Sequence, residues 1–353
     1  MTNQNQVATA STFQTKLAKV NNTYLPMITD QLQGNGIRMS DYQKQCVMSA
    51  LAEINNTLEG QELSIGSVDQ QTLTQILLQV ASLQLNATAT PREVYFQTRK
   101  KKVGNEWITR LEMGIEGDGN DSILSRFGRD VQTVHKFWEV RENDKFTYPR
   151  MKGLDMTPPE WEPVGTGKVV RIVYPITKVN GDVEYLIAER EDVARNLIAH
   201  ISNSMMNETF GIAESRYKAT DAQKTQIDAK KRELKDQLKG MSLEAILDAP
   251  EFDKYISPAW KEGQSRESMI VRKMRNNITK KYPKNFENAY VAMTYEEATN
   301  EDLKRLKKDV TESANVIEFE DVIVHEESAA LDQPDETREE PVQTEAFPDA
   351  DPF

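Results

Sequence analysis

Between residues 268 and 284 the chain sets six cations, Arg272, Lys273, Arg275, Lys280, Lys281 and Lys284, without one acid. Like charges repel, so such a gathering is favoured when a polyanion neutralises it, and nucleic-acid phosphate is the obvious one. Val271, Met274 and Ile278 recur at helical spacing inside the run, which predicts a basic helix over 268–281, stopped by Pro283. A second concentration is Arg99, Lys100, Lys101 and Lys102, standing between two stretches that alternate apolar and polar residues. The alternation predicts strands over 93–98 and 106–113, with the cations at the hairpin tip. A plainer reading of that tip is a solvated turn that keeps a strand edge from aggregating. Arg126 and Arg129 end a short helix, and Lys168 and Arg171 sit at the start of a later strand. All four are candidates for the same phosphate-binding face. For Arg126 and Arg129 the structural alternative is ion pairing with Glu116 or Asp118.

Other chemistries find little footing. His135, His200 and His325 are scattered, with no second histidine four residues on and no cysteine cluster to hold a metal. The run GIEGDGND lacks the Gly-Lys-Ser/Thr ending of a phosphate-binding loop, and it lacks the distal glutamate of a calcium loop. No carboxylate–lysine constellation of a nuclease can be placed. The expectation is a binding protein without metal, cofactor or nucleotide hydrolysis.

Elements that must carry these residues follow in order. Residues 1–12 are small and polar and read as a disordered lead. Three helices are expected before residue 86, the second capped by Ser40 and the third by Asp69, with Pro91 as the stop of the third. Their apolar stripes read as ordinary core. A short helix over 122–127 follows the glycine-rich corner. Asn180-Gly181 between apolar runs predicts a hairpin over 168–189, and residues 190–203 read as helical. The charged stretch at about 215–240 reads as a solvent-facing helical insertion. Of the aromatics Tyr95, Phe96, Trp107, Phe127, Phe137 and Trp138, most are expected in core, with one or two free to stack on bases.

The charge balance is uneven. From residue 309 onward fifteen acids face Arg338 alone. The whole chain stands at −12 and this tail at −14, so the first 308 residues carry +2 and nothing argues against a nucleic-acid partner. Cys46 is the only cysteine, which fits a reducing compartment. The first residues have neither the basic flank nor the apolar core of a signal peptide, and no apolar run approaches a membrane span. A soluble protein of the cytoplasm is expected.

The chain resembles the RecT family of phage single-strand annealing proteins. The likeness runs through VASLQLNA, the cationic hairpin and LEMGIEGDGNDSILSRFG. It continues through VRENDKFTY and GKVVRIVYPITKVNGDVEYLIAERED, and ends with SPAW and SMIVRKMRNNITKKYP, over roughly residues 17–297. In the family the last of these is a basic helix reached after a Trp-containing turn, whereas the stretch 218–238 is longer than the usual connection. The resemblance implies an α+β fold, a small antiparallel sheet with packed helices, in one body over 13–298. It implies a phage or prophage recombinase in a bacterial host that binds single-stranded DNA and forms homo-oligomeric rings or helical filaments. Such a protein holds an annealed duplex intermediate without ATP and works with a partner exonuclease. The alternative is a single-strand DNA-binding protein on a barrel of strands that protects DNA and recruits partners through its tail.

Residues 299–353 are expected to be a disordered acidic tail, and its end is more specific than the rest. Asp349, Asp351, Pro352 and Phe353 are similar to the tip of bacterial single-strand DNA-binding proteins, which implies docking on proteins that read such tips.

Overall fold

The computed structural model describes residues 16–103 and 106–299, with backbone alone at Lys16, 101–103 and Glu106. The expectations for the lead and the acidic tail fall outside the described residues. The architecture is α+β, and every paired strand is antiparallel.

Helices α1 (Lys16–Gly34), α2 (Asp41–Glu59) and α3 (Gln70–Leu83) come first. Ser40 caps α2 in a reciprocal box: its Oγ accepts from Gln43 N at 3.2 Å, and its own N–H donates to Gln43 Oε1 at 2.8 Å. Asp69 caps α3 by accepting from Thr72 N at 2.9 Å. Pro91 is not the stop of α3. The helix ends at Leu83 because Gln84 turns left-handed, φ 56°.

Strands β1 (Val94–Val103) and β2 (Glu106–Ile115) form a two-stranded ribbon with Val94 opposite Ile115. The cations of 99–102 therefore belong to the outer half of β1, not to the turn, because the ladder continues past them to Val103 opposite Glu106. The inner half of the ribbon lays Val94, Phe96 and Leu111 on a core built from Ile28, Leu51, Ile54, Leu73 and Leu77. Helix α9 (Ala289–Thr299) closes this core with Val291 and Ala298.

Helix α4 (Gly117–Phe127) leads into a four-stranded sheet of β3 (Val131–Val134), β4 (Trp138–Arg141), β9 (Val169–Lys178) and β10 (Val183–Glu189), in which β3 and β4 both pair with β9. The excursion between β4 and β9 holds two small ladders, β5 (Lys145–Thr147) with β8 (Glu160–Glu162) and β6 (Met151–Lys152) with β7 (Asp155–Met156). Asp144 ties its ends together by accepting from Arg141 N, Trp161 Nε1 and Val164 N, which holds its carboxyl far below the usual range. Helices α5 (Val193–Ser204), α6 (Asp221–Lys239), α7 (Leu243–Asp248) and α8 (Gly263–Thr279) complete a second core around Ile172, Tyr174, Ile201, Phe252 and Met274. The insertion α6 is not purely solvent-facing: Ile227, Lys231 and Leu238 are buried.

Helix α4 joins the two cores. Adjacent residues on a helix project about 100° apart, so Ile123 enters the first core while Leu124 enters the second. Its start is pressed against the root of β1, where Glu116 N donates to Glu93 O at 2.9 Å and a Cβ on Gly119 would stand 2.0 Å from that same carbonyl. Gly119→Ala should lower unfolding stability by about 3 kcal/mol, read from the urea midpoint. Gly240→Ala, with nothing within 4 Å and no left-handed φ, should leave the midpoint unchanged or raised.

Candidate nucleic-acid interface

Helix α8 seats on the second core through Ile270, Met274 and Ile278, one helical face at successive turns. The next residue round the helix, Arg275, is thereby aimed at α4. Its Nη2 lies 2.8 Å from Asp118 and 2.6 Å from Asp121, and its Nε donates to Tyr174 Oη at 3.1 Å. Tyr174 in turn donates to Asp121 at 2.8 Å, and Phe137 packs beneath the guanidinium at 4.4 Å. The Arg275 side chain is only 12% exposed. Burial, then the Asp121 charge, drives the Tyr174 hydroxyl far above its ordinary value, so it remains a donor.

One turn back, Arg272 Nη1 meets Glu116 at 3.0 Å. The premise of an uncompensated basic helix therefore fails for Arg272 and Arg275. Their counter-charges stand at and just inside the N-terminus of α4, where carboxylates also meet the positive end of the helix dipole. The structural alternative that paired Arg126 and Arg129 with Glu116 or Asp118 does not hold; α8 supplies those partners. Arg126 points the other way, to Glu93 at 3.2 Å, Gln84 O at 2.7 Å and Tyr42 Oη at 2.9 Å. It ties α2, the end of α3 and the root of β1 together, and its guanidinium is committed to that task.

Above Arg272 opens a cleft of about 740 Å³. Pro91 and Arg92, Gly117 at the start of α4, Arg141, Lys168 and Val169 of the sheet, and Arg272 and Arg275 of α8 line it. The cleft thus collects residues whose hydrophobic anchors lie in both cores. Three candidates, Lys168, Arg272 and Arg275, come together here. Arg92 and Arg141 join them unforeseen, since each is a lone arginine outside any run and carries no signal in sequence. Carboxylates of Glu116, Asp118, Glu139 and Glu267 line the same space. Arg92 pairs with Glu53 at 3.2 Å, Arg141 donates to Gly167 O at 2.9 Å, and Lys168 reaches Glu244 at 3.4 Å. A phosphate entering here exchanges for a carboxylate or a carbonyl; it does not meet bare charge.

The remaining candidates lie elsewhere. Arg171 packs against the rings of Phe146 and Tyr148, 4.7 and 4.8 Å away, and pairs with Glu189. Arg129 and Lys281, both exposed, line a separate cavity of about 360 Å³ that also contains Lys178, Asp130 and Glu184. Lys280 is exposed beside them at the end of α8, and Lys273 is half-buried along it. On the ribbon, Arg99 pairs with Glu112 at 3.2 Å and exposed Lys100 lies across from Thr109. The side chains of Lys101 and Lys102 lie outside the described residues, as do Asp349, Asp351, Pro352 and Phe353. Among the aromatics, Trp107 is 67% exposed near the ribbon tip. Trp138 stacks on Trp161 at 5.6 Å and meets Tyr185 at 6.0 Å, a half-buried strip on one face of the sheet.

No protein-family model matches the chain, and no curated protein matches it either. Among the described residues no helix is long and apolar enough to cross a membrane.

Because Arg275 is enclosed with two carboxylates, Arg275→Ala should cost about 3–5 kcal/mol of stability, since it strands Asp118 and Asp121. Lys281→Ala at an exposed site should move the urea midpoint by less than about 0.5 kcal/mol. Any loss of binding in the first variant then has to be judged against its loss of fold.

Proposed function

We propose that this chain binds single-stranded DNA through its backbone along the cleft above α8 and anneals complementary strands without ATP, as the likeness to RecT-type annealing proteins implies. The observation that carries the reading is the convergence of Arg92, Arg141, Lys168 and Arg272 on one open cleft from elements far apart in sequence. A groove assembled this way offers a phosphate chain several positions at once, which single surface cations do not. Arg272 is 38% exposed and its Glu116 partner 21%, so that pair is open enough for a phosphate to compete. The annealing role requires that bases stay available for pairing while the backbone is held. Phosphate-directed contacts of this kind meet that requirement because they carry no sequence information. Assembly into homo-oligomers, cooperation with an exonuclease and work in the cytoplasm of a bacterial host belong to the same proposal.

The test is an annealing assay with purified protein, EDTA present and nucleotide absent. Accelerated duplex formation between complementary oligonucleotides is expected. Strict ATP dependence would contradict the reading, and tight binding without acceleration would favour the strand-protecting alternative. Arg92→Ala with Arg272→Ala should weaken oligonucleotide binding about tenfold and lower the salt slope by about 2, roughly one for each lost phosphate contact. An unchanged slope would place the strand elsewhere.

A further inference from the structure

Of the three cavities described, the one with the largest excess of positive charge lies away from the cleft, between the end of α5 and the inserted helix α6. A cavity of about 360 Å³ opens there, lined by Arg216, Lys231, Arg232 and Lys235 against the single carboxylate of Asp228. It shares no lining residue with the cleft above α8 or with the cavity at Arg129.

Part of this charge has a structural role. The chain leaves α5 with Met206 O free of any helical partner, and that carbonyl accepts from Arg216 Nη1 at 2.9 Å and from Lys231 Nζ at 2.7 Å. Cations at a helix C-terminus answer its orphan carbonyls and its dipole. Arg216 also reaches Asp228 at 3.5 Å. This accounts for two of the cations and leaves two over. Arg232 and Lys235 are exposed at the cavity and have no carboxylate within 4.0 Å among the described residues. Lys231 itself is 7% exposed. Burial first, then the charge of Arg216, draws its pKa below that of an ordinary lysine, so its positive form is held against both solvent loss and repulsion. An anion in the cavity relieves both.

We propose that this cavity is a phosphate-binding site that takes the backbone of a nucleic-acid strand, separate from the groove above α8. Lys231 and Arg216 form its enclosed end, and Arg232 and Lys235 its open side. The last two lie about 4.5 Å apart along the helix axis and are exposed, so the cationic surface runs from the enclosed Lys231 out of the cavity into solvent. That extension fits a chain of phosphates better than a lone ion. The choice of nucleic acid rests on the strand-binding reading above; the presence of an anion site does not.

The test uses the full chain. Arg232→Glu with Lys235→Glu alters exposed positions only and should leave the circular dichroism and urea midpoint in place. Binding to an oligo-dT at low salt is expected to weaken about tenfold or more, with the salt slope reduced by about 2. Lys231→Met gives a second variant that keeps the volume and removes the charge, and it should weaken binding in the same direction. If wild-type protein binds the oligonucleotide and both variants bind it with unchanged affinity and slope, the site is overturned while the groove reading stands. Hydrogen exchange over residues 202–235 then separates the sources of phosphate. Protection by micromolar oligo-dT supports a strand; protection by millimolar inorganic phosphate alone overturns the strand assignment. Protection by neither overturns the site. Were the wild type to bind no DNA at all, the groove reading would fail, and the phosphate arm would still decide whether an anion site exists.

Discussion

The enclosure of one guanidinium between two helices and a sheet is the constraint on which the rest depends. Arg275 leaves α8, receives two carboxylates from α4 and touches the hydroxyl of a β9 tyrosine, so three elements far apart in sequence must meet at fixed distances for any of these groups to be tolerated. A buried ion pair is weak evidence for stability in itself, because desolvation opposes the Coulomb gain. Its effect here is on geometry: removing Arg275 strands the carboxylates of Asp118 and Asp121, and removing both of them strands Arg275. The guanidinium thus ties α8 to α4 through two carboxylates at once. Helix α4 is the element most tightly fixed by it, and α4 is also the element whose consecutive residues Ile123 and Leu124 enter different cores. The relation between the cores, and with it the width of the cleft, is set by polar contacts at one end of α4 and apolar contacts at the other.

Charge in the cleft is consequently arranged rather than accumulated. Acids of α4 hold the α8 arginines in place, and two of them, Glu116 and Asp118, also line the cleft. A ligand that replaces Glu116 at Arg272 loosens one contact of the α4 junction while making its own. Glu116 thus belongs both to the lining of the cleft and to the α4 junction between the cores.

Much of the local architecture was legible in the sequence, because its causes are local. The caps at Ser40 and Asp69, the Asn180-Gly181 hairpin and the Met274 and Ile278 positions of the α8 stripe each follow from a few adjacent residues, while Ile270 and not the expected Val271 completes that stripe. The candidate site was less legible. Residues 268–284 contain no acid, yet the partners of Arg272 and Arg275 stand some 150 positions earlier, at 116, 118 and 121, and no window of sequence joins them. Arg126 looked like a surface cation at a helix end, but the close approach of Glu93 to Gly119 puts a buried carboxylate beside it. Arg92 and Arg141 carried no signal because their value comes only from position. The α6 stretch read as solvated since its composition is charged, whereas burial of Lys231 depends on a helix end about thirty residues upstream in the chain.

The β1–β2 ribbon divides along its own length. Its inner pairs place Val94, Phe96 and Leu111 in the first core, while Arg99, Lys100, Trp107 and Arg110 beyond them are exposed. Each strand has ten residues, so the ribbon measures about 33 Å, and in its outer half Thr109 is bridged to Val68 and accepts from Asp69 N at 3.4 Å, just before α3. One element thus serves two ends: its root is clamped in the first core, and its far half carries exposed cations and Trp107 outward.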